Sequence, residues 1–342
     1  MNDKVSVIIP VFNAGEKLRR CLDAIIKQTY GNIEIITVDD GSSDDSLLIS
    51  QEYAKTDKRI LPVHTENQGS GPARNVGIRK ATGRWGYFPD ADDVIKPDTI
   101  EKAMKAAEEN DCDLVVFGFE ELTESGKRIR IKRYPRTMMD GEDVRRNYEK
   151  HYIMDEPLWI QGAPWNKFFD LNVVREHGIE YPPLRRHQDE GFICRYVEHV
   201  NRVCFIEDVL YTYYANDAAA VNRKYPVDYV DCVMGLYNIR KDTILKWNPR
   251  NVTVRDVVYE ELLCNTIWAF ELSFNKKYGF NKRERLSWMA EKCNGIDFSE
   301  ISWGRLNKHP YHRMVARLLP DHINMAYAVI KAKALLQRLI KK

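Results

Sequence analysis

The sequence predicts an α/β fold: a mainly parallel sheet flanked by helices, followed by a mostly helical C-terminal appendage. Three observations lead there. Strand-like and helix-like patterns alternate through the first 120 residues. The strand-like segments are short apolar runs rich in β-branched residues, as strands covered on both faces require. After Glu120 the alternation breaks, and from about Tyr225 helical periodicity dominates. At 342 residues the chain exceeds what one core readily organises. The divisions expected are 1–120, 121–220 and 221–342.

Taken in order, "VSVIIP" (5–10) is the first strand. Leu18, Cys21, Leu22, Ile25 and Ile26 then recur at helical spacing between Glu16 and Gln28, so one stripe faces the sheet. "IEIITV" (33–38) is the second strand, and "GSSDDS" caps a helix carrying Leu47, Leu48 and Tyr53. A weaker strand, "ILPVH" (60–64), precedes a short helix through "ARNVGIRKA" (73–81). "WGYF" (85–88) is the next strand. Pro97 can start a helix striped by Ile100, Ala103, Met104 and Ala107, and "DLVVFGF" (113–119) completes the set. Beyond it, "KRIRIKRY" (127–134) alternates like an exposed antiparallel strand, and 135–215 reads as loops and short helices.

Hydrophobic residues at 44% and charged residues at 30% describe a globular chain, not a disordered one. Lys and Arg number 52 against 50 acids, and the N-terminal half has no basic stripe, which argues against a nucleic-acid partner. The seven cysteines are scattered and never form a C-x-x-C pair, so they read as reduced core residues, not a zinc site or disulfide frame. "MNDKVSVIIP" enters a strand at once, with no room for a signal peptide. No apolar run approaches the ~18 residues of a spanning helix. A cytoplasmic protein is expected.

The acids carry the chemistry. In a parallel sheet the carboxyl ends of the strands share one edge, where ligands bind. "VDDGSSDD" puts Asp39 and Asp40 beyond the second strand, and "FPDADD" puts Asp90, Asp92 and Asp93 beyond a later one. Five carboxylates on one edge are costly unless a cation or polar ligand sits among them. Oxygen donors without His or Cys suit Mg²⁺ or Mn²⁺. Turn and cap roles account for Asp44 and Asp45, but an alternating pair such as Asp90 and Asp92 is more than a turn needs.

The run "VSVIIPVFNAGEKLRRCLDAIIKQTYGNIEIITVDDGSSDDS", then "NQGSGPARNVGI", then "DADD", resembles the family 2 glycosyltransferases of the GT-A fold, over roughly residues 4–120. The resemblance implies a Rossmann-like sheet that binds a nucleotide-sugar, usually UDP-linked, with Mn²⁺ or Mg²⁺. It implies that 1–120 is the donor-binding half and 121–220 the acceptor side. Pro10, Val11, Phe12 and Asn13 would line the nucleoside pocket, with Asp39 and Asp40 beside base and ribose. Asp90-Ala91-Asp92 would be the family's D-x-D, Asp90 towards the ribose and Asp92 on metal and diphosphate. In "NQGSGPARN", Arg74 serves either a phosphate-side loop or the nearby aspartates as a structural partner. It stands where a dinucleotide fingerprint wants its third glycine, and the loop follows the wrong strand for NAD.

Sugar transfer with inversion needs a general base for the acceptor hydroxyl. "RRHQDEGF" (185–192) resembles the family's acidic motif H-E-D-E-x-F, with Gln188 in place of the first acid. That leaves Asp189 as the base and Glu190 as the second choice, against the plainer reading of an acidic first turn of a helix. "APWNKFF" (163–169) resembles the W-N-K segment of such enzymes, so Trp165, Asn166 and Lys167 are candidates for acceptor or sugar contact, or simply packed. The implied reaction is metal-dependent, inverting transfer from a UDP-sugar to a saccharide acceptor that can be lipid-linked, in bacterial surface polysaccharide synthesis. Two rivals are a silent scaffold that binds nucleotide-sugar or saccharide, and a nucleotidyltransferase. The second wants a basic Gly-rich loop after the first strand, which "PVFNAGEKL" does not supply.

In the last segment, 321–342, Met325, Val329, Ala332, Leu336 and Ile340 share an arc opposite Lys331, Arg338 and Lys342, with Lys333 inside the arc. That arc either docks on the protein's own body or lies against a membrane surface.

Overall fold

The computed structural model describes residues 3–151, 156–215, 228–301 and 303–340, the last four of these without side chains. Two compact units divide the chain, 1–184 with 188–223 and 185–187 with 224–342. The expected division at residue 220 falls within 216–227, outside the described residues.

The first unit is built on a ten-stranded mixed sheet, eight strands of which lie side by side in the order 60–65, 33–40, 5–11, 85–87, 167–170, 114–123, 202–215 and 94–95. Its parallel half joins β1 (Val5–Val11), β2 (Ile33–Asp40), β3 (Ile60–Thr65) and β4 (Trp85–Tyr87). β1 is buried along its whole length, as its unbroken apolar run predicts. The connecting helices are α1 (Glu16–Ile26), α2 (Ser46–Thr56) and α3 (Ser70–Lys80). The expected stripe of α1 is buried at Leu18, Cys21, Leu22 and Ile25. Helix α3 lies so close to β1 that a Cβ on Gly77 would come within 2.2 Å of Ile8 Cγ2. After the short β5 (Val94–Ile95), α4 (Thr99–Asn110) buries Ile100, Ala103, Met104 and Ala107.

Apart from the short strand at 137–140, in a region read as loops and short helices, the other half departs from expectation in two places. β6 (Leu114–Thr123) and the exposed antiparallel β7 (Arg128–Lys132) follow the sequence reading, and β8 (Thr137–Asp140) pairs antiparallel with β10. But "KFFD", read as part of a loop region, is β9 (Lys167–Asp170), an antiparallel strand inserted between β4 and β6. Four residues are too few to show a period. Its partners identify it: Phe168 stacks on Trp85 at 5.2 Å between ring centres. The second departure is β10 (Arg202–Ala215), fourteen residues long and parallel to β6, in a region expected to be loops and short helices. A register shift between Phe205 and Tyr211 breaks its alternation and hides the strand from a period-two reading. Helices α5 (Gly141–Arg146), α6 (Leu171–Glu176) and α7 (Gln188–His199) complete this unit.

The second unit is helical: α8 (Tyr229–Arg240), running into a π-turn at Lys241–Leu245, α9 (Val252–Leu272), α10 (Lys282–Cys293), α11 (Pro310–Leu318) and α12 (Ile323–Ile340). Asn281 and Glu284 form a capping box on α10. In α12 the face that docks holds Ala326, Tyr327, Ile330 and Ala334, next to the expected arc. The side chains of Arg338 and Ile340, and all of Lys342, lie outside the described residues. All seven cysteines are free, and all but Cys264 are buried. Among the described residues no helix is long and apolar enough to cross a membrane.

Candidate active site

Parallel pairing sets the site. Val11, Asp39 and His64 are register partners at the ends of β1, β2 and β3. Pro10 and Val11 are buried in β1, whereas Phe12, just beyond it, is 53% exposed. Asn13 has a left-handed backbone (φ 49°). Its side-chain oxygen accepts from the Ser43 amide at 2.8 Å, tying the two strand-end loops together.

The two acids of β2 differ. Asp39 is 1% exposed, and its Oδ2 lies 2.8 Å from His64 Nδ1. Its Oδ1 is buried without a hydrogen-bond partner among the described residues, which leaves one acceptor for a ligand donor. Both oxygens of Asp40 are occupied by the Gln68 and Gly69 amides, at 2.9 and 2.8 Å. Asp40 therefore shapes the loop entering α3. Burial, partly offset by those amides, raises its pKa.

The crowding in "DADD" is relieved by sending each acid to a different place. Asp90 accepts from Arg74 Nη2 at 2.6 Å, and its other oxygen has no partner among the described residues. Asp93, 1% exposed, accepts from the Tyr211 hydroxyl at 2.6 Å and the Tyr214 amide at 2.8 Å, so it anchors β10. Burial first, then the charges of Asp90 and Asp92, push its carboxyl upward. Burial is also the largest cause of the raised pKa of Asp90, opposed by Arg74. The carboxylate of Asp92, half-buried, makes no hydrogen bond or ion pair among the described residues, while its main-chain carbonyl accepts from Arg20 at 2.6 Å.

Arg74 is the centre of the arrangement. It is 2% exposed and sits over the Tyr181 ring at 5.4 Å. Besides Asp90 it donates from Nη1 to Asp189 at 3.0 Å. Burial alone would lower its pKa, but Asp189 and Asp90 more than reverse that, so the guanidinium stays charged. Partnership with the aspartates, one of the two sequence readings, is present in this geometry.

Asp189 stands in the first turn of α7, about a third exposed, and Glu190 beside it is half-buried. Gln188 accepts from the Gly71 amide at 3.2 Å and donates to the Ser70 hydroxyl, stapling α7 to the start of α3. A side chain on Gly71 would collide with it, its Cβ 2.7 Å from Gln188 Oε1.

Trp165, Asn166 and Lys167 are brought together, but into the interior. Trp165 is 8% exposed and stacks on Tyr211 with ring centres 4.5 Å apart. Asn166 donates to the Phe117 carbonyl at 3.2 Å, and Lys167 donates to Asn166 and to the Ala163 carbonyl. Asn166 and Lys167, fully buried, have no surface to offer a ligand. Burial pushes the Lys167 amine down to about 7.

Sequence reasoning missed Tyr211, Tyr181 and His64. His64 was findable, because a parallel register aligns the third strand's end with Asp39. Nothing local marks Tyr181 or Tyr211, which reach the site from 106 or more residues away in the chain.

Among the described residues no three His, Cys, Asp or Glu side chains converge to hold a metal unaided. The free carboxylate of Asp92 and the second oxygen of Asp90 still fit a hard cation that takes its other ligands from phosphate oxygens and water.

The family model "Glycosyl transferase family 2" matches residues 6–160. The chain is 30% identical to the uncharacterized glycosyltransferase YibD of Escherichia coli over 264 residues, 76% of this chain and 75% of that one. It is 34% identical to EpsH of Bacillus subtilis over 64% of this chain, spanning 63% of that protein's length. Among solved structures, TarS residues 1–349 of S. aureus in complex with UDP-GlcNAc superposes with a TM-score of 0.68 at 17% identity, covering 96% of this chain and 91% of that 1–349 chain. The mannosyltransferase PcManGT of Pyrobaculum calidifontis, in complex with GDP-Man and Mn²⁺, gives 0.52 at 16% identity, covering 93% and 88%. Both likenesses show the GT-A fold.

Proposed function

The chain belongs to glycosyl transferase family 2, and from that premise we propose a metal-dependent, inverting glycosyltransferase that moves a sugar from a UDP-linked donor to a saccharide acceptor. The observation that carries this reading is the division of labour among the acids. Among the described residues the Asp92 carboxylate has no partner, beside an Asp90 held by Arg74, and the same Arg74 holds Asp189. The fold likeness to a UDP-GlcNAc complex and to a Mn²⁺ complex supports the donor and metal classes.

In this reading the β1 and β2 ends hold the nucleoside: Phe12 and Asn13 flank it, and the unpartnered Oδ1 of Asp39 accepts a donor from it. Pro10, Val11 and Asp40 act from behind, setting the loops. Asp90 faces the ribose. Asp92 and Asp90 would hold Mn²⁺ or Mg²⁺, which supplies charge stabilisation for the departing diphosphate. Asp189 takes the proton from an acceptor hydroxyl as its oxygen attacks the anomeric carbon. The bond to the diphosphate breaks and UDP leaves with the electron pair. Arg74 holds Asp189 in place through its 3.0 Å hydrogen bond. Residues 1–120 thus serve the donor and 121–220 the acceptor. The setting proposed is bacterial surface polysaccharide synthesis at the inner face of the membrane, with a lipid-linked acceptor.

The test compares wild type and Asp189→Asn for two readouts: turnover of UDP-sugars with acceptor extract, and the rise in melting temperature with UDP and Mn²⁺. A transferase loses about 10²–10⁴-fold in turnover while the UDP shift persists. Equal turnover in both proteins removes Asp189 as base. UDP binding without turnover in the wild type favours the scaffold.

A further inference from the structure

We infer that the helical unit carries a membrane-docking surface: the outward apolar arc of α12, rimmed by Lys282 and Lys331, lies on a bilayer exposing anionic headgroups. Helix α12 is apolar on two adjacent faces. One is filled, with Ala326, Tyr327, Ile330 and Ala334 buried in the unit. The other runs through Met325, Ala328, Val329, Ala332, Leu335 and Leu336 at regular helical spacing. Met325, Leu335 and Leu336 are 58%, 48% and 59% exposed. Isolated exposed apolar residues need no explanation, but a continuous stripe does.

Two further features select a lipid surface. The first is Lys333, whose place in the arc would oppose burial in lipid. Its ammonium is turned inward, 2.8 Å from Glu271 and 3.8 Å from the centre of the Tyr311 ring. The arc is thereby free of that charge. The second is charge distribution. Residues 303–342 hold nine Lys or Arg and one acid, Asp321, in a chain whose net charge is +2. Over the same sequence the remaining residues hold 43 basic and 49 acidic side chains. Positive charge is concentrated in the segment of sequence that carries the apolar stripe, as an anionic interface attracts it. Lys282 and Lys331 line a groove of about 380 Å³ with Asn324, Tyr327 and Leu335, a place for a phosphate headgroup beside the acyl boundary. A second copy is a poor occupant, because a self-complementary contact would bring two such cationic surfaces together. The surface is independent of the proposed reaction.

The test is co-sedimentation of the full chain with vesicles of phosphatidylcholine alone or mixed with phosphatidylglycerol. Binding should be about tenfold or more tighter to the mixed vesicles and weaken with salt. Leu335→Gln with Leu336→Gln should lower it about tenfold, and Lys282→Gln with Lys331→Gln should flatten the salt dependence. Met138→Gln, equally exposed on β8 in the other unit, should change nothing. Circular dichroism checks folding, and Met325→Gln replaces the leucine pair if that pair unfolds. Equal binding to both vesicles, no binding, or binding indifferent to the arc variants overturns the proposal. So does an arc variant that alters self-association in the ultracentrifuge while vesicle binding is unchanged.

Discussion

Arg74 and Asp189 are joined by a 3.0 Å charge-assisted hydrogen bond between residues 115 apart in the chain. The other arm of the guanidinium reaches Asp90 at 2.6 Å. One buried cation therefore links the D-x-D to the acidic turn of α7, and the two motifs share one electrostatic balance.

Removing that cation leaves two acids facing each other in a poorly solvated place. Arg74→Met should cost about 3–5 kcal/mol of stability, measured by urea unfolding. Arg74→Lys should recover only part of it, since an ammonium lacks the fork that spans two carboxylates. A cost below about 1 kcal/mol for Arg74→Met, the range of an exposed pair, would contradict this role.

Asp92 and Asp93 are neighbours with opposite expected behaviour. Asp92→Asn should leave metal-free stability within about 0.5 kcal/mol, because its carboxylate has no partner to lose among the described residues. It should abolish the extra thermal shift that Mn²⁺ adds to UDP. Asp93→Ala strands the Tyr211 hydroxyl and the Tyr214 amide and should cost about 1–3 kcal/mol per group left unsatisfied. Calorimetry of the two variants with and without Mn²⁺ and UDP separates them.

Gln188→Glu restores an acid at the start of α7 without losing the staple, since a carboxylate can accept from both the Gly71 amide and the Ser70 hydroxyl. The added negative charge next to Asp189 raises the cost of ionising it. The acid limb of the pH–rate profile should move to higher pH, with little change in the plateau. A limb that stays in place would show that Asp189 is not the group titrating there.

Lys167 predicts a pH dependence of stability. Burial holds its folded pKa at about 7, against roughly 10.4 in an unfolded chain. Between those values the unfolded chain binds the extra proton, so native stability rises with pH across that window and is flat below it with respect to this group. In Lys167→Met that rise should be missing. Denaturant unfolding of both proteins at about pH 7 and about pH 9 reads the difference. Parallel behaviour would mean that the amine is solvated and burial does not lower its folded pKa.

The sequence by itself determined the α/β class, the four parallel strands of the N-terminal half, the acid-bearing strand ends and the membership that goes with them. These are local properties: β-branched runs, helical stripes and turn acids act over spans of a few residues. Tertiary structure decided how the acids are used. Among the described residues, five similar carboxylates became a loop anchor at Asp40, a strand anchor at Asp93, an ion-paired Asp90, a half-partnered Asp39 and an Asp92 carboxylate with no partner. It also enclosed Asn166 and Lys167, inserted β9 between β4 and β6, and chose which apolar face of α12 to fill. A charged or aromatic group takes its role from whatever it meets across the fold. Those partners lie from tens to more than a hundred residues away, where no local period reaches.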